Sequence, residues 1–291
     1  MDSLPTAHCP LPTAHCLIDY LVVGHITQDL TPQGIVPGGT AAYAALTARS
    51  LGCSVAVVTA CAPHAVLGPL ADFPLICLPS PDSTTFENLY TPSGRQQVLR
   101  ALAAPLDFAA LPPEWRAPAI LHLGPVAREV DPDWLGRFPG ALVCLTPQGW
   151  LRQWDSDGRV SRAEWPQAEH WLAQAAAAVI SVEDVNNDEA TLHDFAHACP
   201  VLAVTEGERG SRVYWNTHVR RIPAPSVAAL DPTGAGDVYA AAFFVRLRET
   251  RDPYEAGRFA TQLAAVSVTR PGLAGAPTPA EAAAARTEVL G

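Results

Sequence analysis

A run of seven residues at positions 231–237, DPTGAGD, has the residue types needed to hold an anion and to move a proton. It leads directly into an apolar stretch, 238–244, that is typical of a helix. Small residues before a helix leave backbone N–H groups uncovered, and the helix dipole adds partial positive charge there. A capping role would explain Asp237 and one glycine but not the whole run. The pattern therefore predicts an anion cradle beside a carboxylate base, the combination that phosphoryl transfer to a hydroxyl requires.

The composition narrows the chemistry further. The chain has 291 residues, of which 19 are basic and 29 acidic, so its net charge is −10. We therefore expect no binding to nucleic acid or to an anionic membrane. All the basic residues are arginine and none is lysine, which excludes Walker P-loop kinases, protein kinases, pyridoxal-phosphate enzymes and Schiff-base aldolases.

Cysteine usage and the N-terminus bear on the cellular compartment. The seven cysteines show no CxxC spacing, which favours reduced cytoplasmic thiols over a zinc ribbon or a disulfide framework. Asp2 and the absence of a basic residue near it do not resemble a secretory signal, and no apolar stretch reaches the roughly 18 residues of a membrane span. We expect a cytoplasmic protein. The segment LPTAHC occurs twice within residues 1–16, which predicts a disordered tail before a single domain at 17–291.

Short apolar segments alternate with helical ones along most of the chain. This alternation predicts an α/β fold whose mostly parallel sheet is covered on both faces. Two alternating segments, 84–90 and 95–102, flank a turn and predict a β-hairpin that belongs to a small subdomain or lid. Strands are expected at 17–23, 55–59, 75–78, 120–123, 142–145, 178–182 and 201–205, with a second hairpin at 212–222. Helices are expected at 38–50, 133–138, 167–176, 188–198, 237–249 and 253–269.

Five segments in order resemble the ribokinase-like (PfkB-type) carbohydrate kinases. DPTGAGD is similar to that family's DTxGAGD motif, and the other matches lie at 24–29, 38–44, 205–210 and 264–272. The resemblance spans about 17–278. It implies a three-layer α/β/α sandwich with a mostly parallel central sheet and a small, reduced β lid, to which 27–37 and 84–102 would contribute.

The resemblance also implies a role for each matching residue on the acceptor side. Asp237 would be the base that takes the proton of the acceptor hydroxyl, while the amides of Gly234, Ala235 and Gly236 would hold the transferring γ-phosphoryl. The acceptor would be a sugar, cyclitol or nucleoside. Its expected contacts are Asp29, Gly38, Gly39, Tyr43 and Asn88, and Arg95 is a further hydrogen-bond candidate beside Asn88.

The donor side follows from the same resemblance, which implies ATP, Mg²⁺ and a potassium-like cation as cofactors. Asp184 would hold Mg²⁺ through water. The segments against ATP would contribute Thr205, Gly207, Gly210, Thr233 and Gly236. The monovalent cation would be held by Asp231, Thr233, Arg270 and Gly272.

Departures from the family pattern leave alternatives open. Tyr43 replaces the asparagine of the GGxxxN motif. The NxxE element that organises Mg²⁺ is either 181–184, with Ser181 in place of asparagine, or Asn186 or Asn187 with Glu189. The short lid resembles the myo-inositol-kinase branch more than ribokinase itself, and the chain could be a monomer or a homodimer. Two other functions remain: a ligand-binding or regulatory protein with little kinase activity, and a hydroxymethylpyrimidine-type vitamin kinase.

Gln148 is one further candidate. It follows an apolar strand, and in open α/β sheets the carboxyl ends of strands face the ligand crevice. Simple loop packing is the competing interpretation of this residue.

Overall fold

The computed structural model describes residues 18–91 and 94–287. Its strands, in chain order, are β1 (Tyr20–Val23), β2 (Thr27–Thr31), β3 (Gly34–Gly38), β4 (Val55–Cys61), β5 (Leu75–Pro79), β6 (Thr85–Thr91), β7 (Gly94–Ala101), β8 (Ile120–Leu123), β9 (Leu142–Leu145), β10 (Arg152–Trp154), β11 (Val160–Arg162), β12 (Ala177–Ser181), β13 (Val201–Thr205), β14 (Ser211–Trp215) and β15 (His218–Ile222). Its helices are α1 (Thr40–Ser50), α2 (Ala168–Leu172), α3 (Glu189–Ala198), α4 (Ala235–Thr250), α5 (Pro253–Ser267) and α6 (Pro279–Thr287). Short 3₁₀ turns lie between them, including Pro147–Leu151, Val182–Val185 and Gly272–Gly275.

Nine strands form the central sheet in the order β15-β14-β13-β12-β9-β8-β1-β4-β5. The seven strands from β13 to β5 are parallel, and β14 and β15 add an antiparallel hairpin at one edge. All four residues of β1 are buried, and alternate residues face opposite layers. Tyr20 and Val22 pack in the layer that contains α1, α4 and α5, whereas Leu21 and Val23 pack in the layer that contains α2 and α3. The predicted three-layer fold with a mostly parallel sheet is confirmed.

The predicted lid is also confirmed, as a second sheet of four strands in the order β3-β2-β6-β7. Strands β2 and β6 pair in parallel, while the pairs β2–β3 and β6–β7 are antiparallel. The sequence does not predict the small hairpin β10–β11, which reaches the lid from the core. It is joined to β7 by the Leu99 amide, which donates to the Gly158 carbonyl at 2.8 Å, and by a bridge between Val98 and Arg159.

The structure corrects the prediction that every cysteine is a reduced thiol. Cys61 and Cys77 form a disulfide, and their Cα atoms are 6.1 Å apart. The parallel pairing of β4 with β5 places Thr59 opposite Cys77 and so brings the ends of the two strands together. A spacing rule that looks for CxxC cannot detect this, because the contact comes from neighbouring strands. Among the described cysteines, Cys53, Cys144 and Cys199 are free.

Other local predictions differ in extent. The helix predicted at 133–138 is a 3₁₀ turn, Pro132–Arg137, because a proline start and Gly136 leave too little regular helix to propagate. Helix α6 begins at Pro279 and is not among the predicted helices. The duplicated segment within residues 1–16 lies outside the described residues. Among the described residues, no helix combines the length and the apolar composition that crossing a membrane would need.

Candidate active site

Asp237 lies in the first turn of α4, beside the start of α1. The hydroxyl Oγ1 of Thr40, the first residue of α1, donates a hydrogen bond of 2.7 Å to Oδ1 of Asp237. The two residues are 197 positions apart in sequence, so two helices that pack against the same sheet face build this contact. The structure therefore joins the predicted Gly-Gly segment to the predicted base.

Burial dominates the electrostatics of Asp237. It raises the pKa of this carboxyl from its ordinary 3.8 to about 6. The hydrogen bond from Thr40 and the positive charge of Arg152 lower the pKa, while the negative charges of Asp184 and Asp29 raise it. A carboxyl with this pKa is ionised at neutral pH and is a stronger proton acceptor than an ordinary aspartate, as a general base requires.

The predicted anion cradle is a tight turn before α4. Gly234 caps the helix with a φ of 78°, and the Val238 amide donates to its carbonyl at 2.9 Å. The Ala235 amide donates to the Pro232 carbonyl at 3.2 Å, so a phosphoryl group would have to share that N–H. The amides of Gly234 and Gly236 have no hydrogen-bond partner among the described residues. These two amides are thus the better candidates for donating hydrogen bonds to a bound anion.

Tyr43 lies under the cradle. Its side chain is 3% exposed, and a Cβ atom on Gly234 would overlap its ring. Burial raises the pKa of the Tyr43 hydroxyl, and the nearby Asp237 charge adds to that effect. Tyr43 therefore supports the turn from below, and its predicted contact with the acceptor remains a prediction.

The other acceptor candidates lie between the lid and α1. Oδ1 of Asp29 accepts a hydrogen bond of 2.9 Å from Thr27, and its other oxygen lies against Gly38, where a Cβ atom would overlap it. Gly39 has a φ of 82°, and a Cβ atom there would meet the His25 carbonyl at 2.8 Å. Glycine is therefore required at position 39 for the chain to turn from β3 into α1, whereas a side chain at position 38 would displace the Asp29 carboxylate.

Asn88 shares one face of the lid with Asp29. Asp29 pairs with Phe86, and Asn88 is two residues further along β6, so all three side chains lie on the same side. Asn88 accepts a hydrogen bond of 3.3 Å from Gln97 on the neighbouring strand. The side chain of Arg95 lies outside the described residues.

The segment predicted to lie against the nucleotide is a tight turn between β13 and β14. Thr205 ends β13, and Gly207 and Gly210 have φ values of 61° and 91°. Glu206 holds the turn, because its buried carboxylate lies 2.9 Å from Nε of Arg212 and 3.1 Å from Nη1 of Arg221. A carboxylate that binds two arginines of one hairpin fixes its shape and is not itself free for a ligand.

Three of the four residues predicted to hold a monovalent cation come together. The Asp231 carboxylate accepts the amides of Thr233 at 2.9 Å and Gly272 at 2.8 Å, which joins the cradle loop to the turn after α5. The guanidinium of Arg270 points to α6, where it donates to Glu281 at 3.1 Å. Arg270 could therefore reach this cluster only through its backbone.

The position of Asp184 favours one of the two registers for the magnesium element. Asp184 accepts the amide of Ser181 at 3.0 Å and the side chain of Gln148 at 3.1 Å, and its charge acts on Asp237. In the alternative register, Asn186 and Asn187 are exposed, and Glu189 is bound by Arg212 at 2.8 and 2.9 Å. The charge of Asp184 is felt by the candidate base, so the structure favours the 181–184 register, which stays a prediction.

Arg152 is a site residue that the sequence did not single out. It begins β10 and is half-buried, its guanidinium carbon lies 5.9 Å from the Phe86 ring centroid on the lid, and its charge lowers the pKa of Asp237. Its Nη1 donates to the Val126 carbonyl at 3.3 Å. The only sequence signal was its place shortly after the end of β9, close to Gln148.

Glu129 is a second missed residue and is 2% exposed. Its carboxylate accepts the backbone amides of His25 at 2.9 Å, Val126 at 3.0 Å and Ala127 at 2.7 Å. It thereby ties the loop after β1 to the loop after β8, at the end of the sheet that carries the site. No local spacing marks it, because its partners are backbone groups.

Replacing Glu129 by glutamine is expected to destabilise the protein by about 1–3 kcal/mol, because an NH₂ group would face amides that need an acceptor. Thermal unfolding measures this, with Glu114→Gln as a control at an exposed glutamate. An unchanged melting temperature for Glu129→Gln would show that the carboxylate clamp contributes no stability.

The chain matches known proteins in sequence. Residues 166–281 match the model of the pfkB family of carbohydrate kinases. Probable fructokinase-5 of Arabidopsis thaliana is 36% identical over 107 residues, which are 34% of this chain and 33% of that protein. The cytidine kinase of Thermococcus kodakarensis is 25% identical over 251 residues, which are 78% of this chain and 87% of that protein. The chain therefore spans about a third of the first relative and most of the second.

The fold also matches solved structures. A pyrophosphate-dependent kinase of the ribokinase family, solved with a pyrophosphate analogue and myo-inositol, has a TM-score of 0.76 and 22% sequence identity. The match covers 87% of this chain and 96% of that one. At this identity the likeness establishes the ribokinase fold.

Proposed function

We propose that this chain, a member of the ribokinase-like (pfkB-type) carbohydrate kinase family, transfers the γ-phosphoryl group of ATP to a hydroxyl of a sugar, cyclitol or nucleoside. One observation carries the proposal: Asp237, whose pKa burial raises to about 6, lies beside the amides of Gly234 and Gly236 at the start of α4, and neither amide has a partner in the described part of the chain. A proton acceptor and two N–H groups that can donate hydrogen bonds to an anion thus lie together at the start of the same helix.

Asp237 would act on the acceptor. As the hydroxyl oxygen forms its bond to the γ-phosphorus, its proton passes to the Asp237 carboxylate, the bond from that phosphorus to the bridging oxygen breaks, and ADP leaves. The amides of Gly234 and Gly236 would donate to the phosphoryl oxygens while their charge develops. Such fixed dipoles stabilise a transition state without reorganising, and positioning with electrostatics supplies most of the catalysis in phosphoryl transfer.

The donor set fits a magnesium ion held through water. Asp184 accepts one hydrogen bond on each carboxylate oxygen and keeps lone pairs for ordered water. Bound Mg²⁺ would neutralise phosphate charge. Asp184 and Gln148 would orient the water around Mg²⁺. Asp231, Thr233 and Gly272, which are joined by hydrogen bonds, would lie beside the monovalent cation.

The acceptor class is proposed from the lid face. Asp29 and Asn88 present a carboxylate and an amide on one side of the lid, a combination that can accept and donate hydrogen bonds to vicinal hydroxyls. The relatives are named for different polyols and for a nucleoside, so we propose a polyhydroxylated acceptor. The assay below identifies which compound of this class is phosphorylated.

The pH dependence follows from the raised pKa of Asp237. The base works when ionised, so kcat/KM should fall on the acidic side with a midpoint near pH 6, where the pKa of about 6 places it. A pH profile of kcat/KM from pH 5 to 9 measures the midpoint. A midpoint near the ordinary aspartate value of 3.8 would contradict a buried base.

The deciding experiment measures phosphate transfer from Mg-ATP, and separately from Mg-pyrophosphate, in K⁺ buffer to a panel of sugars, inositols, nucleosides and hydroxymethylpyrimidine. Asp237→Asn is the paired variant. Transfer that needs both an acceptor and Asp237 supports the proposal, and the donor arm identifies the phosphate source. Binding of ATP without transfer to any acceptor would favour the ligand-binding protein. Absence of both transfer and ATP binding would contradict a kinase.

A further inference from the structure

The side chain of Thr40 is fixed from two sides. It is 1% exposed, its hydroxyl donates to Oδ1 of Asp237 at 2.7 Å, and its methyl group packs against Gly124, where a Cβ atom would lie 2.5 Å from it. A β-branched side chain whose methyl group and hydroxyl group are both engaged has one available χ1 rotamer. The hydroxyl of Thr40 therefore always points at the same carboxylate oxygen.

This arrangement makes the two oxygens of Asp237 different. Oδ1 accepts a hydrogen bond from the Thr40 hydroxyl, which weakens it as a proton acceptor, because charge on that oxygen is already stabilised. Among the described residues no hydrogen bond to Oδ2 is recorded, so this oxygen is the one that can accept the acceptor's proton. The contact also stops the carboxylate from rotating about χ2, which otherwise is broad for aspartate.

We propose that Thr40 is a positioning residue that holds Asp237 so that Oδ2, and not Oδ1, takes the proton of the acceptor hydroxyl. The inference rests on the proposed function, since it assigns a role to a neighbour of the proposed base. In this role Thr40 acts through the Asp237 carboxylate, which makes it a positioning residue rather than a catalytic one.

Several charged and titratable groups face Asp237 and must stay unchanged in the test. Arg152 from β10 lowers the pKa of Asp237, while Asp184 from the 3₁₀ turn and Asp29 from β2 raise it. Two buried tyrosines on β1 and α1 also interact with its charge, and they are Tyr20 and Tyr43. A substitution at Thr40 alone leaves all five groups in place.

The informative substitution is Thr40→Val, which keeps the branched shape and the packing against Gly124 but removes the donor. Loss of a hydrogen bond to a charged group should raise the pKa of Asp237, so the acidic limb of kcat/KM should move up by about one pH unit or more. We also expect kcat at pH 8 to fall about ten-fold or more while KM for the acceptor changes little. Thr40→Ser keeps the hydroxyl, so the acidic side of its pH profile of kcat/KM should lie at the wild-type position.

Thr47→Val on the same helix is the matched control. Thr47 is fully buried, and its Oγ1 has no hydrogen-bond partner within residues 18–91 and 94–287, so this variant makes the same chemical change without breaking a described contact. We expect its pH profile and kcat to equal those of the wild type.

The outcomes separate this inference from the proposed function. If Asp237→Asn is inactive while Thr40→Val keeps the wild-type pH limb and kcat, the positioning role is wrong and the base assignment stands. If Asp237→Asn keeps full activity, the proposed function itself fails. If Thr40→Ser behaves like Thr40→Val, the packing of the methyl group, and not the hydrogen bond, is responsible, and the proposal is overturned.

Discussion

Replacing Asp237 by asparagine is expected to lower turnover by about two to four orders of magnitude while the fold and ATP binding are retained. Asparagine can still accept the hydrogen bond from Thr40, but its amide cannot take a proton. Steady-state kinetics with the acceptor found in the panel, together with ATP-induced shifts of the melting temperature, measure both parts. Asp194→Asn, at an exposed carboxylate on α3, is the control.

The same substitution should also change stability, in a direction set by pH. The folded-state pKa of Asp237 is raised from 3.8 to about 6, so the ionised carboxylate is disfavoured in the folded protein. Below about pH 4 the carboxyl is protonated in both the folded and the unfolded state, and it does not reduce the free energy of unfolding. As the pH rises from 4 through 6, the carboxyl must ionise in the folded protein, and the free energy of unfolding falls. Well above pH 6, Asp237→Asn should therefore be the more stable protein by about 3 kcal/mol. Equal melting temperatures at pH 8 would contradict the raised pKa of Asp237, and near-wild-type turnover would contradict its role as the base.

Replacing Gly234 by alanine is expected to cost both stability and activity. The φ of 78° is unfavourable for alanine, and its Cβ atom would overlap the buried Tyr43 ring. The strain and the overlap together should destabilise the protein by about 2–4 kcal/mol. We expect turnover to fall more than ten-fold, since the cradle amides must move when the turn yields. Thermal unfolding measures the loss of stability, and steady-state kinetics measure the loss of turnover.

Gly236→Ala is the matched control for stability, because no atom lies within 4 Å of its Cβ position and its φ is not positive. Its melting temperature should stay within a degree or two of the wild type. Combining Gly234→Ala with Tyr43→Leu should recover part of the lost stability by removing the ring. If Gly234→Ala unfolds at the wild-type temperature, the ring does not support the turn.

The regular elements could be predicted because their signals are local. Buried parallel strands have continuous apolar runs, and each predicted core strand is present within three residues of its expected ends. The strands β10 and β11 lack such a run and are half-exposed, since contact with β7 and not their own composition stabilises them. Cys61 and Cys77 escaped prediction for a similar reason, because their contact arises from strand pairing.

The site was predicted where glycine and aspartate stand together in one short segment. Asp237, Gly234 and Gly236 form one turn, so their spacing alone places them together. Thr40 and Arg152 act on Asp237 from separate loops, and no spacing within either loop reveals that partner. A sequence motif thus indicates the proposed proton acceptor, while the residues that affect its pKa come from the tertiary structure.

The hairpin β10–β11 has a mechanical consequence. It carries Arg152 and is hydrogen-bonded to the lid strand β7 through Leu99 and Gly158. A displacement of β7 would therefore act directly on the hairpin that carries the guanidinium whose charge lowers the pKa of Asp237. Moving that charge away makes the carboxylate hold its proton more firmly, and bringing it back releases the proton. The protonation of Asp237 and the position of the lid are thus coupled through the hairpin β10–β11.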